Sequence, residues 1–380
     1  MVEQEKEKLN LVLFLTLGGS LKQWYNTGIL ERELALYKEL KIKYNVSTSI
    51  ISFGDKTEKQ ITNNYPYIKV YYNKLNLHPR LYNFLIPFLF FKVFRKASLI
   101  KTNQFYGVHL AKRVAKLYSK KLIIRQGYSY IYHRLKENGL NSQEYKQAEE
   151  YVLRNINSAS SYIFTTKQIS ENYKKKYKLN SKDINIIPNY ILTENWKPFY
   201  KLKKNKKVVI FIGRFSEQKN LIALSNGLAG INIKLIIVGE DNYNVKKKLE
   251  KSLTKNKVSF EFFKRTNQKK LKKIIELADA FILPSLYEGN PKILIEMMNH
   301  KIPVITTMVR GIKELVTQNN CILIEKPDYK NIKESIFKFY ELNNKQKIFL
   351  INNAYKASLG YSLQKICKKE FDLYSRLSEK

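Results

Sequence analysis

Cysteine is almost missing from this 380-residue chain: there are two, Cys321 and Cys367, far apart and with no Cys-x-x-Cys pair or matching histidine spacing. That excludes a disulfide framework and any zinc site legible from spacing, and it suits a reducing, cytoplasmic setting. Histidine is scarce too, at four residues. The six aspartates (Asp55, Asp183, Asp241, Asp279, Asp328 and Asp372) stand isolated, so no Asp-x-Asp metal site is visible. No apolar stretch approaches the ~20 residues that a membrane-spanning helix needs. The apolar run Leu9 to Leu17 follows a mixed-charge segment and ends in Gly18-Gly19-Ser20, which predicts a buried strand rather than a signal peptide. No internal repeat with a period of about 20 to 50 residues is apparent.

Acid is the other shortage. Against 69 Lys+Arg stand 32 Asp+Glu, a net charge of +37. Such an excess points to a polyanionic neighbour, whether nucleic acid, an anionic membrane surface or a phosphorylated substrate. A second reading is compositional, with Lys filling neutral surface positions in a chain rich in Lys, Asn, Ile and Tyr. On that reading the basic run Lys201 to Lys207 is a solvated linker. Apolar residues make up 44% and aromatics 13%, enough for a core without disulfides or metal. The length suits two domains of comparable size.

Apolar runs of strand length alternate with helical patterns through both halves, the order of α/β folds with parallel sheets and crossover helices. Strands are predicted near 10–17, 46–53, 68–72, 98–102, 121–125, 161–165 and 184–187, then near 207–212, 233–238, 259–263, 279–283, 302–306 and 321–324. Between Pro188-Asn189 and Lys207 the periodic pattern gives way to Trp196, Pro198 and repeated Lys, which marks the division. Open parallel sheets bind ligands at the carboxyl ends of their strands, where helix N-termini present free amides to anions. The strand-to-helix loops are therefore the places to look.

The richest of these is Leu283-Pro284-Ser285-Leu286-Tyr287-Glu288-Gly289-Asn290-Pro291-Lys292-Ile293-Leu294-Ile295-Glu296. A buried strand runs into a glycine-containing loop, and Pro291 suits the first turn of a helix, where its missing N–H is no loss. Amides at that helix start can meet phosphate oxygens. Glu296, about a turn further in, can accept both vicinal hydroxyls of a ribose, and Glu288 sits in the preceding loop. Taken singly, either glutamate would do no more than favour the helix dipole. A second segment, Val208-Val209-Ile210-Phe211-Ile212-Gly213-Arg214-Phe215-Ser216-Glu217-Gln218-Lys219-Asn220-Leu221, ends a strand at Gly213. It offers phosphate an arginine fork and a lysine point charge, although on so basic a chain the two are also simply exposed cations. The first strand ends in Gly18-Gly19-Ser20-Leu21-Lys22, where backbone can approach a phosphate. The dinucleotide pattern G-x-G-x-x-G is absent.

The string Pro284-Ser285-x-x-Glu288-Gly289, with Glu296 eight positions after Glu288, resembles the paired-glutamate motif of the family 4 glycosyltransferases. Gly213-Arg214 with Lys219-Asn220 resembles that family's donor-phosphate motif, Gly18-Gly19 its glycine loop, and Ile186-Ile187-Pro188-Asn189 the segment closing its first domain. The resemblance covers nearly the whole chain. It implies the GT-B fold: two Rossmann-like parallel-sheet domains facing a cleft, with a C-terminal helix crossing back to the first. The domains expected are an acceptor-side unit, 1–195, joined by the helix 362–380, and a nucleotide-sugar-binding unit, 196–361. It also implies transfer of a sugar, with retention of configuration, from a nucleotide diphosphate donor such as a UDP-sugar. The acceptor would be a glycan or a lipid-linked molecule in cell-surface polysaccharide synthesis.

By the same resemblance Glu288 orients and polarises the sugar, while Arg214 and Lys219 stabilise the departing diphosphate in place of a metal. Donor contacts fall to Gly18, Gly19, Gly213, Arg214, Lys219, Arg265, Asn290, Pro291, Lys292, Ile293 and Glu296. No metal or other cofactor is expected. The chain departs from the pattern in three places. Gln126 stands where many members have His, leaving Gln126, His109 or His133 to substitute. Asn290-Pro291 replaces Phe-Gly, and Phe263-Lys264-Arg265 lacks a glycine. Two rivals are a nucleotide-sugar epimerase of the same architecture, which needs no acceptor, and a basic nucleic-acid-binding protein. The latter would interleave aromatics with Arg on an exposed sheet, whereas here the cations are mainly Lys and the aromatics lie in apolar runs. Finally, Leu81 to Lys96 joins bulky apolar residues to clustered cations, with Pro87 between. It is either a core helix or a segment lying in the face of an anionic membrane.

Overall fold

In the computed structural model the described residues are 9–193, 207–241, 244–266 and 268–379. The expected junction near residue 195, with Trp196, Pro198 and the start of the basic run at Lys201, lies outside them. The chain divides into two compact units, Met1–Asn189 with Leu363–Lys380, and Tyr190–Ser362.

All the predicted strands form. In the first unit they are β1 (Asn10–Phe14), β2 (Ser47–Ile51), β3 (Ile68–Tyr71), β4 (Leu99–Thr102), β5 (Lys121–Gln126), β6 (Ser161–Phe164) and β7 (Ile184–Ile186). They pair in the order β3-β2-β1-β4-β5-β6-β7, every pair parallel. The strand β1 stops at Phe14 rather than Leu17 because the chain turns: Gly18 takes a φ of +79° and the Gly19 amide donates to the Thr16 carbonyl at 2.7 Å. In the second unit β8 (Lys207–Ile212), β9 (Ile233–Gly239), β10 (Ser259–Lys264), β11 (Ala280–Leu283), β12 (Val304–Thr307) and β13 (Ile322–Ile324) make a sheet of order β10-β9-β8-β11-β12-β13. Strands such as Ala280-Phe281-Ile282-Leu283 are buried on both faces. That is why parallel strands read as continuous apolar runs rather than alternating ones.

The C-terminal helix Leu363–Ser378 belongs to the first unit, where it packs on the helix Leu30–Tyr44 and on β4. Phe371 stacks on Tyr44 with centroids 4.0 Å apart, and a buried ion pair joins Lys101 of β4 to Glu370. Cys321 and Cys367 are both free and buried. Among the described residues no helix is long and apolar enough to cross a membrane.

Candidate functional site

In each sheet the strand order reverses once, between β1 and β4 and between β8 and β11. Parallel pairing puts every strand's carboxyl end on one edge, and the reversal opens a crevice there. The two strongest sequence segments are the loops that follow β8 and β11, so the fold brings them side by side.

Lys219 closes a single 3-10 turn, Glu217–Lys219, and Asn220 then takes a left-handed φ of +57°. The Asn220 side-chain amide donates to the Pro284 carbonyl at 3.2 Å and to the Pro327 carbonyl at 2.6 Å. Gln218 stitches the loops from the other side: its carbonyl accepts from the Leu286 amide at 2.9 Å and its side chain donates to the Tyr287 carbonyl at 2.8 Å. Held this way, Lys219 Nζ lies 2.5 Å from Glu288 Oε1, with side chains 10% and 7% exposed. Ser285 Oγ donates to the same oxygen at 2.7 Å and Gln218 Nε2 to Oε2 at 3.3 Å. A nearly buried carboxylate with three donors is fixed in place and aimed, which suits orienting a ligand.

The helix after this loop is Lys292–Asn299. Pro291 caps it in an extended conformation, φ −72° and ψ 106°, and so stands just before the first turn rather than within it. Asn290 and Pro291 are buried, Ile293 and Glu296 half-buried, and Lys292 Nζ lies 5.1 Å from the Tyr190 ring centroid. Gly213 opens the loop after β8, where an added Cβ would meet Phe211 at 3.1 Å and Lys219 Cε at 3.7 Å. Arg214 and Arg265 are both exposed on this same carboxyl-end edge.

Two glycines that sequence reasoning passed over hold the loops closer still. Gly239, last in β9, would drive a Cβ to 1.9 Å from the Gly213 carbonyl oxygen. Gly311, with φ +82°, would place one 2.1 Å from the Glu288 carbonyl oxygen, beside the Glu288 amide that donates to the Arg310 carbonyl at 2.9 Å. Each is a lone glycine in sequence, and only the folded contact shows its use. Gly311→Ala should displace Glu288 and lower the melting temperature, since alanine at positive φ costs ~1–2 kcal/mol before the overlap is counted. An unshifted melting curve with full activity would remove Gly311 from the site.

Gly18 and Gly19 belong to the first unit, where the amides past them are already engaged. The carboxylate of Glu58, fully buried, accepts from the amides of Leu21 at 3.1 Å and Lys22 at 2.9 Å and from Ser52 Oγ at 2.6 Å. It fills the anion position at the start of the helix Leu21–Asn26. Beside this turn, Lys22, Asp55, Asn73 and His78 line a pocket of about 390 Å³. Of the candidates to replace the missing histidine, Gln126 is buried and donates to Tyr173 Oη at 2.6 Å. His109 Nδ1 lies 2.9 Å from Tyr151 Oη, and burial lowers its pKa. The side chain of His133 lies outside the described set. Among the described residues no group of three or more His, Cys, Asp or Glu side chains is placed to hold a metal ion.

Residues 193–357, nearly all of the second unit, match the family model of glycosyl transferases group 1. The matched stretch lies wholly within the second unit. An uncharacterized glycosyltransferase of Methanocaldococcus jannaschii is 27% identical over 173 residues, 45% of this chain and 48% of the relative. A putative teichuronic acid biosynthesis glycosyltransferase of Bacillus subtilis is 24% identical over 206 residues, 51% of this chain and 50% of the relative. The chain thus spans about half the length of these curated relatives. The crystal structure of Anabaena HepE in complex with UDP and glucose superposes with a TM-score of 0.72 at 17% identity, covering 96% of this chain and 99% of that one. The fold is GT-B, with two parallel-sheet Rossmann-like domains.

Proposed function

We propose that this protein is a glycosyltransferase that moves a sugar, with retention of configuration, from a nucleotide diphosphate donor such as a UDP-sugar to a hydroxyl of a glycan or lipid-linked acceptor. The bond from the anomeric carbon to the diphosphate breaks, a bond to the acceptor oxygen forms, and the acceptor's proton passes to the departing phosphate. The observation that carries this reading is the Lys219–Glu288 pair at the strand-order reversal of the second unit, within the stretch that matches glycosyl transferases group 1. Lys219 and the exposed Arg214 supply positive charge for the diphosphate, Glu288 orients the sugar, and Glu296 holds the ribose. Gly213, Arg265, Asn290, Pro291, Lys292 and Ile293 complete the second unit's part of the donor site, and Gly18 and Gly19 are the glycine loop of the first unit. The acceptor side belongs to the first unit, and the setting is the cytoplasm, in cell-surface polysaccharide synthesis. With two cations at the diphosphate, turnover should be undiminished in EDTA, and dependence on added manganese would count against this division of labour.

Two measurements test the reading. A screen of nucleotide sugars should raise the melting temperature, because a ligand at 100 times its dissociation constant adds ~2.7 kcal/mol. For the donor so found, Glu296→Gln should weaken binding about 10- to 100-fold in calorimetry, the loss of hydrogen bonds to a charged group worth ~1.5–3 kcal/mol. Unchanged affinity would sink the ribose assignment.

A further inference from the structure

From residue 59 to residue 136 the sequence has sixteen Lys or Arg and not one Asp or Glu. Within that span lie two short helices, Pro79–Leu89 and Phe91–Lys96. Their inner side is core: Tyr82, Ile86, Pro87 and Phe94 are buried. Phe90, between the helices, packs against Tyr71 and Tyr82 with centroids 5.4 and 6.3 Å away. The outer side is apolar as well, and it is open. Leu81, Phe84 and Phe88 follow one another at steps of three and four on one face of the first helix and are 47%, 60% and 60% exposed, and Phe91, at the start of the second helix, is 44% exposed.

This face is built rather than frayed. Pro87 has no N–H, so the Asn83 carbonyl lacks its helical donor. Arg113 supplies one, its Nη2 lying 2.5 Å from the Asn83 oxygen and 2.9 Å from that of Phe84. The guanidinium sits 5.7 Å from the Phe84 ring centroid, and Tyr118 Oη donates to the Pro87 carbonyl at 2.7 Å. The proline is accommodated and the phenylalanines are held outward. Exposed cations flank them: Lys74 and Arg80 at one end, Lys92, Arg95 and Lys96 at the other.

We infer that this face docks the first unit on an anionic lipid bilayer, with Leu81, Phe84, Phe88 and Phe91 entering the interface and the flanking cations meeting lipid headgroups. Apolar residues along one side of a helix, cations beside them and a length far short of a span are the attributes of an element that lies in the membrane plane. Polyanion binding alone would account for the cations and leave the phenylalanines in water. The aliphatic Leu81 and Leu89 among them offer no flat ring on which a nucleobase could stack. The pocket lined by Lys22, Asp55, Asn73 and His78 also touches Pro79, the first residue of the same helix. On the transferase reading, and resting on it for this step only, the acceptor is therefore a membrane-borne amphiphile whose polar head reaches that pocket.

Flotation of the full chain, without donor or acceptor, tests the docking separately from the transfer reaction. The protein should float with vesicles of phosphatidylcholine mixed with phosphatidylglycerol, stay behind with phosphatidylcholine alone, and be released by high salt. The Phe84→Ser, Phe88→Ser double variant changes only exposed side chains. It should reduce the bound fraction about tenfold or more while leaving the melting temperature and nucleotide-sugar stabilisation unchanged. Failure of the wild-type protein to float with the mixed vesicles overturns the proposal, and so does unaltered flotation of the double variant, which would leave charge as the sole attraction. A single-stranded RNA that displaces the protein from vesicles, and whose binding the same two substitutions weaken, would assign the face to nucleic acid instead.

Discussion

Arg214→Ala should lower turnover by about 10²–10³ without moving the melting temperature. Removing one preorganised group that stabilises developing charge costs that much in comparable active sites, and Arg214 is exposed, so its loss opens no cavity and strands no buried partner. Lys219→Ala should lower turnover at least as far, but with a different accompaniment. Its ammonium is the cation beside a carboxylate only 7% exposed, and stripping a buried pair of one member leaves an uncompensated charge at a cost of ~3–5 kcal/mol. The penalty should fall below that range, because Ser285 and Gln218 still donate to Glu288. The pair of variants therefore separates chemistry from architecture: both lose rate, and only Lys219→Ala also loses stability. Steady-state kinetics with the donor found by thermal shift, alongside melting curves, makes the comparison. Undiminished turnover in Arg214→Ala would take that residue out of the diphosphate site.

The strands were legible in the sequence for a physical reason. A parallel strand is buried on both faces, so each writes itself as a short apolar run bounded by polar residues, as Ala280 to Leu283 does. The two loops of the candidate site were legible too, because a local string carries the residues in each. What the sequence did not display is how those loops meet. The Lys219–Glu288 ion pair spans two segments 69 positions apart, and it exists because β8 and β11 are neighbours in the sheet. Gly239 and Gly311 were invisible for the same reason, since their function is to leave room for backbone from another loop. Glu58 shows the converse: a surface-looking acid in a polar stretch is fully buried, and its carboxylate takes the helix amides that the glycine loop alone had suggested for phosphate. The segment around Phe90 divided according to face. Its inner half is core and its outer half is open, a distinction that depends on what packs beneath it.

The longest-range feature yields the largest expected effect on stability. Lys101 and Glu370 are 269 positions apart and 1% and 2% exposed, with Nζ 2.6 Å from Oε2. Lys101 Nζ also hydrogen-bonds Tyr374 Oη at 2.8 Å, and the Tyr374 hydroxyl donates to Glu370. The rings of Tyr37 and Tyr374 lie 6.0 and 5.5 Å from the ammonium. Burial pulls the Lys101 pKa below its ordinary value and Glu370 opposes that pull, so each partner is what keeps the other tolerable inside the core. Lys101→Ala or Glu370→Ala should therefore destabilise the first unit by ~3–5 kcal/mol. At roughly 2–4 °C per kcal/mol for a domain of about 150–250 residues, that is a fall on the order of 10 °C in its melting transition. Lys101→Met combined with Glu370→Leu removes both charges and restores apolar volume, so the double variant should recover most of the loss, as paired apolar replacements of buried ions commonly do. The second unit, whose core contains neither residue, should keep its nucleotide-dependent stabilisation throughout. Single variants that melt like the wild type would mean that the C-terminal helix is held by its apolar face, through Leu363, Ile366, Cys367 and Leu373, and that the ion pair adds nothing to its anchorage.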